Sequence, residues 1–427
     1  MALPVALRAL RSPAYRLFVA GQLISLIGTW MQMIAQSWLL YRLTGSAALL
    51  GLLGFAGQIP VFVLAPLGGV IADRANRHRV LIVTQSAMMV LAAALAALTL
   101  AGKVHVWHLF ALASMLGLAN AFDIPARQAF VVQLVDREHL LNAIALNSSM
   151  LNGARIVGPA IAAVVVAAVG EGWCFLLNAV SYLAVIGALL MMRLEPQIRV
   201  ASHVSAWESI VEGFSYAWTT RPVRALLLLL GLVSVMGMPY SVLMPIFADR
   251  ILHGGPNAYG LLMSASGVGA LAGAASLTVR RHLRGLGRSV AVSAGGFGLS
   301  LIAFSFSRSL WGSVLLLVPA GFFMMVEMAA SNTLIQSMVP DRLRGRVMSV
   351  YSMMFMGMAP LGALIAGALA APLGAPLTVC AGGAACIIGG LVFGGRLRTL
   401  RGPARDLIIA QQVSAGGPPE EGLRPTP

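Results

Sequence analysis

The loop that follows the second apolar segment of the chain reads Gly69-Val-Ile-Ala-Asp73-Arg74-Ala-Asn76-Arg77-His78-Arg79. Gly69 allows close packing at the end of a helix, and Asp73 with the arginines after it makes a compact ion-pair site. A loop that only oriented the chain in a membrane would need the arginines but not the aspartate. The stretch therefore predicts an ion-pair site at the cytoplasmic face of a membrane protein, with spans on both sides of it.

The composition agrees with a membrane protein. Of the 427 residues, 59% are hydrophobic and only 10% are charged, and the mean hydropathy is +0.86. A soluble protein carries about a quarter charged residues. Apolar runs of roughly 20 residues recur along the chain, and such continuous runs predict membrane-spanning helices rather than the alternating strands of a barrel. The predicted spans are 17–41, 47–71, 80–101, 106–126, 141–169, 173–192, 223–248, 258–279, 289–307, 310–337, 347–371 and 376–395.

The net charge of +15 would point to nucleic acid in a soluble protein, but here the placement of the cations explains it. With the N-terminus inside, 24 of the 29 lysines and arginines fall in cytoplasmic segments. The predicted outer loops hold Arg42, Lys103, Arg250 and Arg308, and Arg155 lies within a span. Since Lys-rich and Arg-rich loops stay inside, we expect a multi-pass protein of the bacterial inner membrane with both termini in the cytoplasm.

Two blocks of six spans divide the chain. We expect an N-terminal six-helix bundle over 1–192, a cytoplasmic linker over 193–222, a C-terminal six-helix bundle over 223–398 and a disordered tail over 399–427, which is rich in Gly, Pro and Glu. The linker predicts an amphipathic helix, either on the membrane surface or packed on the underside of the bundle. Its apolar face would hold Trp207, Ile210, Val211, Phe214 and Trp218.

The loop over 69–79 resembles the signature loop of the major facilitator superfamily, although Asn76 replaces a usual glycine and His78 a usual Arg or Lys. The resemblance implies an all-α polytopic membrane protein with twelve transmembrane helices in two pseudo-symmetric six-helix bundles, acting as a secondary transporter. Four stretches of the chain resemble one branch of that superfamily, the enterobactin exporters and transmembrane secretion effectors. They are 21–25, 28–32, 122–128 and 142–148.

The same resemblance implies a gating motif formed by Gly69, Asp73, Arg74, Arg77, Asp123 and Arg346. Asp73 would dock at the start of the eleventh helix near Arg346. Arg77 or Arg74 would pair with Asp123 at the cytoplasmic end of the fourth helix. In the superfamily such pairs latch the two halves in the outward-open state, and the alternative is a static ion pair that only stabilises the loop.

The fifth predicted span carries Gly158-Pro159 among small residues. It resembles the antiporter motif of the superfamily's exporters, with alanine at 154, 162 and 163 in place of glycine. Proline removes a helix hydrogen bond and bends the axis, and small side chains allow a neighbouring helix to approach. We therefore expect a helix bend at Gly158 and Pro159, and the motif favours export.

Two charges lie deep within predicted spans, Arg155 and Glu327. A charge at the centre of a bilayer costs about 2.5–3.5 kcal/mol on insertion scales, so each should face the bundle interior or a wet cavity. Our hypothesis is proton coupling: Glu327 takes up and releases the coupling proton, influenced by cavity charges such as Arg155. The alternative is a structural, hydrogen-bonded carboxyl.

The first helix carries a polar stripe whose members fall within about 80° on an ideal helix. They are Gln22, Ser25, Thr29, Gln32 and Gln36. Because amides facing lipid are costly, the stripe should either line the substrate pathway or hydrogen-bond to neighbouring helices. Asn152, Ser352 and Met356 are further pathway candidates, since methionine adapts to varied partners.

Other classes of function are less consistent with the sequence. The acids, histidines and cysteines form no converging catalytic or metal-ligating pattern, so we expect no enzyme, metal or cofactor. No ATP-binding GxxxxGK[ST] loop is present, so pumping would use an ion gradient. We expect proton-coupled efflux of a small amphipathic siderophore, drug or metabolite; an importer of the same fold and a non-transporting scaffold or secretion accessory are the alternatives. The expected partners are that substrate, protons and the lipid bilayer, without nucleic acid, and the chain should act as a monomer.

Overall fold

The computed structural model of the protein describes residues 9–192, 206–278, 283 and 285–414. Twelve segments of the described chain are helical, long and apolar enough to cross a membrane, which confirms the predicted fold class. The helices are α1 (Pro13–Thr44), α2 (Ala47–Arg74), α3 (Arg77–Leu100), α4 (Val106–Gln133), α5 (Leu140–Val169), α6 (Glu171–Met191), α7 (Ala206–Thr219), α8 (Arg221–Leu232), α9 (Tyr240–Ile246), α10 (Gly255–Thr278), α11 (Leu286–Phe306), α12 (Leu310–Met338), α13 (Asp341–Ser352), α14 (Ala359–Leu373) and α15 (Ala375–Ser414).

Polar side chains fix where several helices begin. Ser12 caps α1 by accepting a hydrogen bond from the Tyr15 amide at 3.3 Å, with Pro13 in the first turn. Asn76 caps α3 in the same way, accepting from the Arg79 amide at 3.2 Å. Asn76 has φ −73°, so its place in the loop of 69–79 rests on capping rather than on a left-handed backbone.

Two of the twelve spans are interrupted by π-helical turns. The seventh span runs over Arg221–Ile251 and contains π segments at Val233–Gly237 and Phe247–Ile251. The eleventh contains one at Met353–Gly357, between α13 and α14. Single π turns of this kind occur frequently at functional sites. The apolar residues of these two spans do not predict the π-helical turns.

The chain divides into two compact units. The first unit comprises Met1–His203 together with Met244–Ser264, and the second comprises Val204–Leu243 and Ala265–Pro427. In the first unit, α1 packs on α5 and α6, α2 on α4, and α3 on α4 and α6. In the second, α11 packs on α12 and α15, and α7 packs on α13. The segment Met244–Ser264 thus belongs to the first unit, although the predicted C-terminal bundle of 223–398 includes it.

The predicted disordered tail over 399–427 requires a correction. Helix α15 continues to Ser414, so residues 399–414 are helical, and Ile408 is buried. The stretch after Pro403 contains Ala, Arg, Leu, Ile and Gln, which favour or tolerate a helix once an apolar side chain has a surface to pack on. Residues 415–427, and residues 193–205 of the predicted linker, lie outside the described part of the chain.

Candidate functional site

The polar stripe of α1 is turned into the first unit. Its buried members are Gln22, Ser25, Gln32 and Gln36, and Thr29 is half-buried. The side-chain nitrogen of Asn178, on α6, donates to Gln32 Oε1 at 2.6 Å. Gln36 Nε2 donates to the Leu109 carbonyl oxygen of α4 at 3.2 Å. For Gln32 and Gln36 these contacts match hydrogen bonding between helices, the second of the two uses that the sequence left open.

Helices α1 and α6 cross closely at Gly28. A Cβ at this position would lie 2.5 Å from Asn178 Oδ1 and from Ser181 Oγ, so a larger residue would displace the polar group that Gln32 binds. Asn178 was missed by the sequence analysis. An asparagine within the apolar run of the sixth span was the signal that could have identified it. Gln22 is different: its Oε1 is buried and has no hydrogen-bond partner among the described residues.

Asp123 on α4 is buried and is contacted by three polar side chains of the first unit. Thr84 Oγ1 and Gln85 Nε2, both on α3, donate to Asp123 Oδ1 at 2.9 and 2.8 Å. Arg127, one turn further along α4, lies 3.4 Å from Oδ2 and forms the ion pair. The resemblance pointed to cations of the 69–79 loop, but a partner at i+4 on the same helix needs no tertiary contact at all.

The cations of the 69–79 loop have other neighbours in the first unit. Arg77 Nε donates to the Ala72 carbonyl oxygen at 2.9 Å, at the C-terminal end of α2, and Arg74 is exposed. The side chain of Asp73 lies outside the described residues, so its docking near Arg346 stays a prediction.

The close packing predicted at Gly69 is made by Gly68 instead. A Cβ at Gly68 would collide with the Ala121 carbonyl oxygen of α4, whereas nothing among the described residues lies within 4 Å of a Cβ at Gly69. Successive residues point about 100° apart around a helix, so only one of the two glycines can face α4.

Arg155 lies near the middle of α5, where that helix meets α1. Its guanidinium carbon is 5.7 Å from the centre of the Trp30 ring, a cation–π distance. Gly158 brings the two helices together, because a Cβ there would lie 2.5 Å from Trp30 Cβ and 2.9 Å from the Ile27 carbonyl oxygen. The small residue beside Pro159 therefore has the predicted packing role, and its neighbour is α1.

The part of α5 that precedes Arg155 has a polar, accessible face. Ser148 and Ser149 are exposed, and Asn152 is half-buried, with its Nδ2 donating to the Ser148 carbonyl oxygen at 2.9 Å. Exposed polar groups within a membrane span are costly in lipid, so this face is expected to meet water. Asn152 was selected from sequence, and the two serines extend the face by one turn.

Beyond Arg155, one face of the same helix is covered. The segment Met244–Ser264 packs against it within the first unit: Ser264 Oγ donates to the Ile156 carbonyl oxygen at 3.0 Å. A Cβ at Gly260 would collide with Ala163 and would lie 2.5 Å from the Pro159 carbonyl oxygen. The small residues of the Gly-Pro stretch therefore accommodate α10 as well as α1.

The same segment is also bound at the predicted outer end of α1. The Tyr41 hydroxyl donates a hydrogen bond to Asp249 Oδ2 at 2.9 Å, and Arg250 donates one to the Gly45 carbonyl oxygen at 3.1 Å. The rings of Trp38 and Tyr259 stack with their centres 6.3 Å apart. These polar and aromatic contacts hold Met244–Ser264 on the first unit, and sequence reasoning did not find them because the partners lie more than 200 residues apart.

Glu327 lies on α12 in the second unit and is 1% exposed. Ser331 Oγ, one turn along the same helix, donates to its carboxylate at 3.3 Å. Among the described residues of the second unit, no cation forms an ion pair with Glu327. The predicted burial of this acid in a helix bundle is therefore present, and Ser331 is its hydrogen-bond partner in the described part of the second unit.

The start of α13 is held by the linker helix α7. Glu212 forms ion pairs with Arg346 and, at 3.0 Å, with Arg342. On α7, Val211, Phe214 and Trp218 are exposed, while the side chains of Trp207 and Ile210 lie outside the described residues. The helix therefore packs its polar side on α13 and leaves an apolar edge uncovered, and its placement on the membrane surface stays a prediction.

The pathway candidates of the eleventh span lie at its irregular turn. Ser352 ends α13, and Met356 lies in the π segment Met353–Gly357; both are exposed. A π turn shifts the following side chains around the helix axis, so these residues do not keep the regular helical spacing from which they were selected.

Twelve candidate spans in the described part of the chain, with buried polar groups among them, define a multi-pass membrane protein, and the family model identifies it as a transporter of the major facilitator superfamily. The chain belongs to the transmembrane secretion effector family of that superfamily, whose family model matches residues 5–415. It is similar in fold to a solved POT family transporter in complex with 5-aminolevulinic acid, with TM-score 0.74 and 13% identity over 91% of this chain and 97% of that one. A bacterial homologue of the iron transporter ferroportin, solved in an inward-facing state, gives TM-score 0.68 and 17% identity over 90% and 98% of the two chains.

Relatives in sequence are transporters too. The chain is 25% identical to the staphyloferrin A transporter of Staphylococcus aureus over 352 residues, which cover 82% of this chain and 87% of that protein. It is 27% identical to the multidrug efflux pump Tap of Mycolicibacterium fortuitum over 386 residues, covering 87% and 93%. The protein is therefore a major facilitator transporter with efflux pumps among its relatives.

Proposed function

We propose that this protein exports a small amphipathic molecule across the bacterial inner membrane in exchange for protons, by alternating access, with both termini in the cytoplasm. The arginine-rich predicted cytoplasmic loops support the orientation. The export direction is supported by relatives named as efflux pumps and by the resemblance of the Gly158-Pro159 stretch to the antiporter motif.

The observation that carries proton coupling is the environment of Glu327. An ionised carboxylate inside a membrane bundle costs about 2.5–3.5 kcal/mol, and Ser331 is the one polar side chain seen to bind it in the described part of the second unit. The Glu327 carboxyl group is therefore expected to ionise when water reaches it and to take up a proton when it is closed off from water. A transporter that alternates between two states can use such a group to move one proton per cycle.

The substrate pathway follows the polar face of α5. Asn152 and Arg155 lie on it, while Ser352 and Met356 stay candidates that were selected from the sequence alone. Gln32 and Gln36 are bound to neighbouring helices, so we assign them to holding α1 in place. Gln22, Ser25 and Thr29 stay pathway candidates, with Gln22 the strongest because its carbonyl oxygen has no partner among the described residues.

The coupling experiment uses everted vesicles with an imposed pH gradient and a compound to which the overexpressed protein confers tolerance. The wild type should accumulate this compound in response to the gradient. Glu327→Gln should abolish gradient-driven accumulation but keep exchange of labelled for unlabelled compound, because a neutral side chain still allows the substrate-bound states to interconvert. Undiminished gradient-driven accumulation by Glu327→Gln would contradict proton coupling through this residue.

A matched control is Glu138→Gln. Glu138 is an exposed carboxylate in the short turn Arg137–His139, between two spans of the first unit. Its substitution removes the same charge without touching a buried group, and it should leave both accumulation and exchange unchanged.

A further inference from the structure

Among the described residues of the first unit, Arg155 is a cation without an ion-pair partner, and it lies at the end of the polar face of α5. Arg155 lies at the boundary of two parts of α5: the polar face at Ser148 and Asn152 precedes it, and the contact of Ser264 with Ile156 covers the helix immediately after it. Arg155 therefore lies between the accessible polar face of α5 and the part of this helix that Ser264 contacts.

The described carboxylates of the first unit do not pair with this cation. Asp123 is paired with Arg127, Glu171 with Arg42 at 2.8 Å, and Asp249 accepts the hydrogen bond from Tyr41. No carboxylate among the described residues of the first unit forms an ion pair with Arg155. A membrane charge that is costly to keep, and that forms no ion pair among the described residues of the first unit, is available to a ligand.

The side chain beside Arg155 defines the rest of the ligand. The guanidinium carbon lies at a cation–π distance from the Trp30 ring, and a cation–π contact leaves the N–H donors of the group available to other acceptors. Those donors match a pair of carboxylate oxygens. The indole ring and the neighbouring apolar residues of α1 offer a surface for an aromatic or aliphatic body.

We propose that Arg155 binds the carboxylate of an amphipathic monoanion, with Trp30 against the apolar part of the same molecule, and that Asn152 supplies a further hydrogen bond. This inference rests on the proposed export function and narrows its substrate to carboxylate-bearing compounds. Amines of the same shape are disfavoured, because a positive charge would meet Arg155.

The test is a binding measurement on the full-length protein in nanodiscs. The probes are dansylglycine, dansyl-phenylalanine and 1-naphthylacetate, each compared with its neutral amide and with an amine analogue. For the wild type, at least one carboxylate should bind about tenfold more tightly than its amide, the value of one charge-assisted hydrogen bond. Arg155→Gln should remove that preference while changing the dissociation constant of the amide less than about twofold. Equal binding of every carboxylate and its amide by the wild type, or an unchanged preference in Arg155→Gln, overturns the proposal.

Two further variants keep the test decisive. Arg155→Lys retains the charge but not the paired donors, so it should keep an intermediate preference even if the glutamine variant does not fold. Arg308→Gln removes an exposed arginine of a predicted outer loop and should bind like the wild type. The assay is independent of direction and coupling. If the wild type exports in response to the gradient but binds carboxylates no better than their amides, only this inference is contradicted. If the wild type prefers carboxylates but does not export, only the proposed function is contradicted.

Discussion

Ser264 donates a hydrogen bond to the backbone carbonyl oxygen of Ile156 at 3.0 Å, one residue beyond the intramembrane Arg155. A residue from the eighth span thereby covers the fifth span at the depth where its polar face ends. In alternating access this contact has to break whenever a substrate leaves on that side. The segment Met244–Ser264 is thus expected to be the part of the chain that closes the predicted outer end.

Gly260 sets how closely this segment approaches α5. Gly260→Ala adds a Cβ that collides with Ala163, so the closed arrangement should be disfavoured. In a variant with Ser264→Cys as its single cysteine, labelling by a membrane-impermeant maleimide from the outside should become severalfold faster on adding Gly260→Ala. Gly187→Ala is the control, because nothing among the described residues lies within 4 Å of a Cβ there. Equal labelling rates in the presence and absence of Gly260→Ala would show that the segment does not close this end.

The pair Gln32 and Asn178 tests whether the α1 stripe is structural. Asn178→Leu leaves the buried Gln32 amide without its partner, which should cost about 1–3 kcal/mol and lower the thermal midpoint in detergent. Replacing both residues with leucine should restore much of that stability, because no unpaired polar group remains. Transport by the double variant should then approach that of the wild type. A stable double variant that no longer transports would return Gln32 to the substrate pathway.

The partner of Asp123 can be identified by double-mutant cycles. Asp123→Asn and Arg127→Gln should show a coupling energy of about 0.5–3 kcal/mol in thermal stability, since their side chains form a largely buried ion pair. Asp123→Asn combined with Arg74→Gln should be additive, because Arg74 is exposed. Coupling to Arg74 rather than to Arg127 would favour the gating pair implied by the family resemblance.

Glu212 is expected to fasten the linker helix to α13. Glu212→Gln weakens its ion pairs with Arg342 and Arg346, so amide hydrogen exchange over Val211–Thr219 should become several times faster. Asp341→Asn removes an exposed acid at the start of α13 and serves as the control. Unchanged exchange in Glu212→Gln would mean that apolar packing alone holds the helix.

Much of the architecture could be predicted because hydropathy and charge placement act locally. A run of about 20 apolar residues has to cross the membrane as a helix, whatever its position in the chain. Because charges are rare inside such runs, Arg155 and Glu327 could be selected as candidates. The helix in the linker also follows from a short-range pattern.

The rest depends on helix rotation and on distant partners. Hydropathy does not show which of Gly68 and Gly69 faces α4, nor that Gln32 points at Asn178 across 146 residues. The π turn at Met353–Gly357 changes which side chains share a face, and apolar sequence does not predict it. The placement of Met244–Ser264 in the first unit arises from contacts such as that of Tyr41 with Asp249, which no local pattern encodes.

The central claim is export, and sidedness tests it most directly. A compound to which the overexpressed protein confers tolerance is offered to everted vesicles and to right-side-out vesicles from the same cells, each with an imposed pH gradient of the physiological polarity. Export predicts gradient-dependent accumulation in the everted vesicles and none in the right-side-out ones. Accumulation in the right-side-out vesicles alone would identify an importer, and movement in neither would favour a non-transporting scaffold; either result contradicts the proposed function.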